Sequence, residues 1–417
     1  MLNNYICALD ISSSKIAAVV CEIKRKRIVN IFFEYLPARN ILRRGSILNS
    51  VELTAVISKV LKNLKNKSKL KIKSVCINIS GQGIVTKHSH AIIPLAERGS
   101  RIITNFDIKE VNEQARILGS NLEEEIIHQV PSVYTVDSGT SVLNPIGLYS
   151  HKLEADLYLI CARLSSIQTL AHIVAQAGYE IKDLFFSGYT TSRLLFNEEQ
   201  DSRINIICDI GSDVTELIVF RNKRLSEIKI VPAGGDDLTE SLSRDFKISF
   251  ELAQEIKESY AIAGNYNHMG EEEVLIKKDH FYKPLNRKRI SEIVSSRALE
   301  ICQMIKESLK EELGRDGFGE FIVVGRSIML EGFLELLEQD LGVPVKAGRV
   351  KDNELLHLLN KNSLLSRQKY LTYLTALGML EEALRIKDSQ GIFSIGLSEN
   401  PFHKIMAKAK EIYQEYF

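Results

Sequence analysis

Asp10 and Asp209 stand at matching points of two similar stretches. "ICALDISSSKIAAVV" and "NIICDIGSDVTELIVF" each pass from an apolar arm through Asp-Ile into a turn of small polar residues and out along a second apolar arm. A hairpin of this kind points backbone N–H groups in one direction, and small side chains at its tip admit a phosphate. A carboxylate at the strand end can hold a hydrated Mg²⁺ that bridges phosphate oxygens. Either turn alone reads more readily as an ordinary hairpin whose Asp caps the turn. Two such turns, with Gly234-Gly235 and Gly325 expected to open helices, suit one triphosphate clamped in a cleft by four anion-friendly turns.

The elements that must position these turns alternate between strands and helices. Residues 1–20 read as strand, turn, strand, and the basic tip at Lys24 leads into a third strand ending near Phe33. "NSVELTAVISKVLKNLKNKSK" has helical periodicity, with Val51, Val56, Val60, Leu61 and Leu64 expected to face inward and the lysines outward. "KSVCINISG" is then a strand ending at Gly81. From Gly83 to about Leu164 the texture changes to a strand, a helix and at least two more strands, which reads as an inserted module. After a helix over 166–178 and a second one before Asn205, the strand-turn-strand pattern returns about half a chain on. Repetition at that spacing implies a duplicated α/β domain. A helix is expected to open at Gly234-Gly235 and a second to run over 251–260, with loop and short exposed strands within 265–289, a long amphipathic helix from Ser291, and a strand before Gly325.

Composition bounds the function. The 417 residues are 45% hydrophobic and 26% charged, enough for more than one core. Lys plus Arg number 54 against 53 acidic residues, so no global charge excess points to nucleic acid, and no nucleic-acid partner is expected. The six cysteines stand singly in apolar stretches with no C-x-x-C pair, which suggests reduced core residues and the cytosol. No run of 18 apolar residues spans a bilayer.

The sequence resembles the actin and Hsp70 superfamily, and within it the bacterial cell-division family FtsA. "ALDISSSKI" is similar to that family's first phosphate turn and "CDIGSDVTELIVF" to its second. "FIVVGRSIMLEGF" is similar to its adenosine motif, and "VPAGGDDLT" with "AQEIKESY" to the segments flanking base and ribose. "EEEIIHQVPSVYTVD", "NPIGLYSHKLEADLYLI" and "YLTALGML" resemble the family's inserted subdomain, 1C, and its last core helix. The resemblance implies two ribonuclease-H-type lobes in an actin-like α/β fold. The first comprises 1–83 and 165–203 with the 1C insertion at 84–164. The second, 204–385, carries a 2B subdomain at about 243–300, and a linker, 386–400, precedes a membrane-targeting helix over 401–417. It implies ATP and Mg²⁺ held by Asp10, Ser12, Ser13, Ser14, Lys15, Asp209, Gly211, Ser212, Asp213, Thr215, Gly234, Gly235, Gln254, Lys257, Gly325 and Arg326, with Asp10 and Asp209 facing the metal.

The site departs from the family pattern. Ser12 to Ser14 replace Gly-Thr-Ser, Asp213 replaces a glycine, Glu216 an Asp, Gln254 a ribose-contacting Glu, and Arg326 the second glycine of the adenosine turn. Asp213 would add repulsion beside phosphate unless it binds the metal. Binding is expected to survive with weak or absent hydrolysis.

"NPFHKIMAKAKEIYQEYF" begins with Asn400 as N-cap and Pro401 at the first helical position. At about 100° per residue Phe402, Ile405, Met406, Ile412, Tyr413, Tyr416 and Phe417 fall on one arc, with Glu411, Glu415 and Lys404 opposite. Such a helix either packs on its own domain or lies in a membrane interface, and the resemblance favours the membrane. The partners it implies are the C-terminal peptide of the tubulin-like FtsZ, further copies of the chain in a filament, inner-membrane lipid and other division proteins, at the septum. The alternatives are a PilM-like pilus-assembly scaffold of the same superfamily and, less favoured, a small-molecule kinase, for which no acid-base residue stands out.

Overall fold

A computed structural model describes residues 5–25, 27–96, 99–137, 139–195, 203–264, 272–278, 281–314, 317–350, 354–362 and 369–392. The 401–417 helix expected from the sequence lies outside them. The chain divides into two compact units: residues 1–191 with 224–227 and 373–417, and residues 192–223 with 228–372.

Each unit is built on a five-stranded sheet, and the two sheets share one topology. In the first, Tyr5–Ile11 pairs antiparallel with Lys15–Lys24, which pairs antiparallel with Arg27–Pro37. On its other side Tyr5–Ile11 runs parallel to Ser74–Ile79, which is parallel to Glu180–Phe186. In the second, Ile204–Ile210 pairs antiparallel with Thr215–Arg221, beyond which lies Arg224–Val231. On its other side it is parallel to Phe318–Val324, which is parallel to Val345–Ala347. The two hairpins match in detail. Ser12 N–H donates to the Lys15 carbonyl over 3.1 Å, and Gly211 N–H to the Val214 carbonyl over 2.9 Å, each two residues past its Asp. The sequence repeat is therefore a repeat of structure.

Apolar strands buried on both faces need helices over them. Ser50–Ser68 starts at Asn49, whose side chain accepts from Glu52 N–H over 3.1 Å, and ends at Lys69 in the left-handed region. Its buried stripe is Leu53, Ile57, Val60, Leu61 and Leu64. Val51, expected inward, is 79% exposed and Val56 half-buried: the helix phase is set by Leu53 and its partners at i+4, i+7, i+8 and i+11. Leu374–Ile392 packs on Tyr5–Ile11, Lys15–Lys24 and Ser74–Ile79. In the second unit Gly235–Phe246, Phe250–Tyr260, Arg287–Ser308 and Phe333–Leu341 enclose a core that includes Leu238, Val294, Phe321 and Phe333. The expected exposed strands form a hairpin, Glu273–Lys278 with Phe281–Asn286.

The insertion is a four-stranded sheet in the order Thr140–Val142, Glu124–Val136, Lys152–Arg163, Ile84–Pro94, with helix Asn105–Leu118 packed against the last two. At the helix start Asp107, almost fully buried, accepts from both Arg101 guanidinium nitrogens (2.9 and 2.5 Å) and from Thr104 N–H and hydroxyl (2.8 and 2.7 Å). Hydrogen bonding from Arg101 leads in pulling its pKa from 3.8 to about 2, against its burial. A depressed carboxylate stabilises the fold above its unfolded pKa, and that stability is lost as pH falls through the folded one. Roughly 2 kcal/mol should therefore fade between about pH 4 and pH 2. Amide exchange at Val111 and Leu157 should show it, with Asp107→Asn lacking this component; identical acid profiles for the two proteins would refute the assignment.

Among the described residues no helix is long and apolar enough to cross a membrane. All six cysteines are free and buried.

Candidate functional site

The first unit presents a closed turn. Asp10, at the end of Tyr5–Ile11, is 1% exposed with both carboxylate oxygens engaged: Oδ2 by Lys15 Nζ at 3.0 Å and Oδ1 by Asn78 Nδ2 at 3.2 Å. Asn78 is the hub. Its Oδ1 accepts from Ile11 N–H at 2.7 Å, and its Nδ2 also donates to the Ser187 hydroxyl at 2.9 Å. The next residue back, Phe186, donates its N–H to His128 Nε2 of the insertion at 2.9 Å. The phosphate-type turn is thus tied through strand Ser74–Ile79 and the start of helix Ser187–Leu195 to the inserted domain. Sequence reasoning missed Asn78 and Ser187; the signal was a lone amide in a buried apolar strand, "SVCINI". Ser12, Ser13, Ser14 and Lys15 are half-buried. The Ser12 hydroxyl donates to the Lys15 carbonyl over 2.9 Å, and the Ser14 carbonyl accepts from Ala38 N–H at 3.0 Å. Serine at 12 thus closes its own turn.

The second unit brings three glycine-bearing segments into contact. Gly235 N–H donates to the Gly211 carbonyl at 3.0 Å and Asp236 N–H to the Ser212 carbonyl at 2.6 Å, while Gly234 N–H donates to Asp237 Oδ2 at 2.8 Å. Gly234-Gly235 open the helix Gly235–Phe246 as expected, and its first N–H groups go to the neighbouring turn. What the glycines supply is space. A Cβ on Gly234 would stand 2.7 Å from the Gly211 and Ser212 carbonyl oxygens, and one on Gly235 2.6 Å from Ser327 Oγ. Gly325 has φ +104°, and its Cβ would lie 2.1 Å from the Ile210 carbonyl oxygen. It opens a short 3₁₀ turn, Arg326–Met329, and the α-helix starts only at Phe333.

Asp209 and Glu216 face one another across the hairpin, Asp209 half-buried and Glu216 buried. Gly211, Ser212 and Asp213 at the tip are half-buried. Thr215, expected to touch nucleotide, is fully buried and donates its hydroxyl to the Ala233 carbonyl at 2.8 Å, so it braces the strand junction. Lys257 is also committed inward, its Nζ donating to the Gly235 carbonyl at 2.8 Å and Thr239 Oγ1 at 2.7 Å. Thr239 donates to Gln254 Oε1 at 2.6 Å, Gln254 donates to Glu258, and Glu258 accepts from Arg326 Nη2 at 2.9 Å. Arg326 therefore reaches from the adenosine-type turn to helix Phe250–Tyr260. Thr239 and Glu258, unforeseen in the sequence, link Gln254, Lys257 and Arg326 into one polar chain.

The sequence model of the family described as "Cell division protein FtsA" matches residues 206–377, and that of the "SHS2 domain inserted in FTSA" matches 81–161. Together they span more than half of the chain, and the second falls on the inserted sheet and helix. The chain belongs to the FtsA family. The cell division protein FtsA of Buchnera aphidicola is 26% identical over 360 residues, 84% of this chain and 85% of that one. FtsA of Escherichia coli is 22% identical over 386 residues, 90% and 89%. Among solved structures, one of the PilM-PilN type IV pilus biogenesis complex aligns at a TM-score of 0.63 and 17% identity, covering 91% of this chain and 98% of that one; it speaks to the fold alone. This FtsA-family chain thus has the actin-like duplicated α/β fold with the family's own inserted domain.

Proposed function

We propose that this chain is a nucleotide-binding, membrane-attached adaptor of cell division, which assembles with copies of itself and tethers FtsZ. The observation that carries the reading is the coincidence, in one chain, of two register-matched phosphate-type hairpins with the SHS2 domain inserted in FtsA proteins. The same insertion weighs against the PilM-like alternative, which rests on fold likeness. Among the described residues no acid-base carboxylate beyond those of the turns stands out to support a kinase.

ATP fits the residues present. Glycine at 211, 234, 235 and 325 brings three turns of the second unit within carbonyl contact, leaving backbone at their tips. Magnesium fits Asp209, since this ion keeps most of its waters and needs one or two carboxylates beside phosphate. Asp10 would ligate it only by giving up Lys15 or Asn78. Among the described residues no three His, Cys, Asp or Glu side chains converge as a closed metal cage.

Hydrolysis requires a water in line with the terminal phosphate and neutralised charge on its oxygens. Asp213 adds a carboxylate at the turn tip, which opposes the second requirement. Binding with little turnover suits a protein whose output is assembly, because ligand binding biases which conformations are populated. Asp213→Gly should raise affinity or turnover by about three- to tenfold, a change of roughly 1 kcal/mol for one half-buried charge near the surface. Calorimetry with Mg-ATP and a phosphate-release assay test it, and unchanged values in both would remove Asp213 from the account.

The 401–417 segment supplies the proposed membrane contact through its arc of Phe402, Ile405, Met406, Ile412, Tyr413, Tyr416 and Phe417. The polar stretch around Phe250 to Arg289 is proposed to contribute to docking the FtsZ peptide, on the family resemblance; the side chains of 276–283, including Lys277 and Lys278, lie outside those described.

A further inference from the structure

Strand register gathers a basic rim at one end of the first unit. Tyr5 pairs with Glu22, so the hairpin tip at 24–27 lies where strand Tyr5–Ile11 begins. Ser74–Ile79 runs parallel to that strand, with Ala8 opposite Cys76, so the segment 69–73 just before it lies at the same end. Tyr5 Oη accepts from Lys73 N–H at 2.7 Å and Ser74 N–H at 3.2 Å, which fixes the juxtaposition. Neighbouring strands are about 4.8 Å apart, so the two segments come within about 10 to 15 Å across the sheet. The Ser12 turn lies at the opposite end.

Lys24, Arg25 and Arg27 of the tip and Lys69, Lys71 and Lys73 are all exposed. Lys65, with Lys69, Leu70, Lys71, Ile72 and Lys73, lines an open groove of about 360 Å³. Lys65 sits over the Tyr179 ring at 5.5 Å, and Lys24 pairs with Glu22 at 2.8 Å. Lys69, Lys71 and Lys73 have no ion pair among the described residues. Not one acidic residue falls between Lys59 and Lys73, in a chain whose net charge is only +1. A few lysines at a helix end complement its dipole. Those beyond Ser68 lie outside the helix and are not explained that way.

We propose that this rim binds anionic phospholipid headgroups and is the second half of the membrane contact. It rests on the reading of 401–417 as a membrane helix. That segment carries Lys404, Lys408 and Lys410 against Glu411 and Glu415, so it offers an apolar face and little attraction to a charged surface. Stable attachment of a peripheral protein takes two signals, commonly an inserted group and a polybasic patch. The tether favours this pairing. Helix Leu374–Ile392 belongs to the same unit as the rim, and the eight residues 393–400 reach at most about 28 Å, comparable to the length of the unit's strands. The tether thus keeps the membrane helix close to the first unit, and the rim is a dense cationic surface of that unit. Among the described residues the groove is lined by lysine and aliphatic side chains, and the nearby Tyr179 ring lies under Lys65, which suits headgroups better than stacked bases.

The test is flotation of the full chain with vesicles of phosphatidylcholine alone and with roughly a third phosphatidylglycerol, at low and high salt. Each cation at an anionic surface changes affinity by roughly fivefold, so Lys69→Gln/Lys71→Gln/Lys73→Gln should lose on the order of a hundredfold on anionic vesicles at low salt. It should bind neutral vesicles as wild type does, and the corresponding arginine triple variant should bind anionic vesicles normally. Ile412→Glu should lose both kinds of vesicle. If the glutamine variant floats with anionic vesicles as well as wild type, the rim proposal fails while the helix reading stands. If Ile412→Glu still floats on neutral vesicles, the helix reading fails. Capture of a single-stranded oligonucleotide that depends on the three lysines, with lipid binding unaffected by them, would reassign the rim and overturn the proposal.

Discussion

Asp209→Ala should leave the protein folded and reduce its affinity for Mg-ATP by at least about a hundredfold, while weak binding of metal-free ATP persists. The carboxylate is half-buried at the end of an apolar strand, opposite Glu216 and two residues before the bond that closes the turn. Removing it leaves the backbone of the turn intact but takes away the second unit's foremost oxygen donor for the hydrated ion. Asp10→Ala should act differently. Asp10 is locked between Lys15 and Asn78, so its loss strands a half-buried ammonium and an amide, and costs stability as well as binding. Calorimetry with and without Mg²⁺, beside thermal melts of each variant, separates the two. Equal magnesium dependence in wild type and Asp209→Ala would end the assignment of that residue to the metal.

Gly325→Ala is expected to cost the second unit about 4 kcal/mol or more and to abolish nucleotide binding with it. Two penalties combine. The residue sits at φ +104°, where a Cβ is strained, and that Cβ would press to 2.1 Å from the Ile210 carbonyl oxygen, which is backbone and cannot step aside. Gly317→Ala provides the comparison: φ is +85° there, with no atom within 4 Å of the added carbon, so only the backbone term of about 1 kcal/mol remains. Amide exchange at Val323 and Phe333 reads local stability in each variant. Matching losses at 317 and 325 would mean that the contact with Ile210 contributes nothing.

The duplicated hairpins were legible because they write two constraints into one short stretch, apolar alternation for the sheet and small polar residues for the tip. The insertion was legible for the same reason, its strands and helix having their own periods. The phase of helix Ser50–Ser68 was not. Val51 and Leu53 are equally apolar, and only the Asn49 cap and the sheet beneath decide which faces inward. The commitments of individual polar groups were also hidden. Thr215 bonds a carbonyl 18 residues away, Arg326 a carboxylate 68 residues away, and Asn78 a hydroxyl 109 residues away. A hydroxyl or guanidinium in a motif announces its chemistry, but its partner is chosen by folding. Resemblance pointed to the nucleotide for Thr215 and Lys257, and gave no sign of the bonds by which they brace the Ala233 carbonyl and the Gly235 and Thr239 oxygens. The basic tip and the lysine-rich helix were each visible, and only the strand register showed that the tip and the lysines after that helix meet at one end of a sheet.

Nucleotide binding without appreciable turnover is the claim on which the adaptor reading depends, and a calorimetric titration of the full chain with Mg-ATP, followed by phosphate release from the same sample, tests it most directly. The account predicts a saturable heat with one nucleotide per chain and turnover below roughly 1 s⁻¹, the low end for dedicated enzymes. Absence of any heat, or turnover well above that rate, would contradict it.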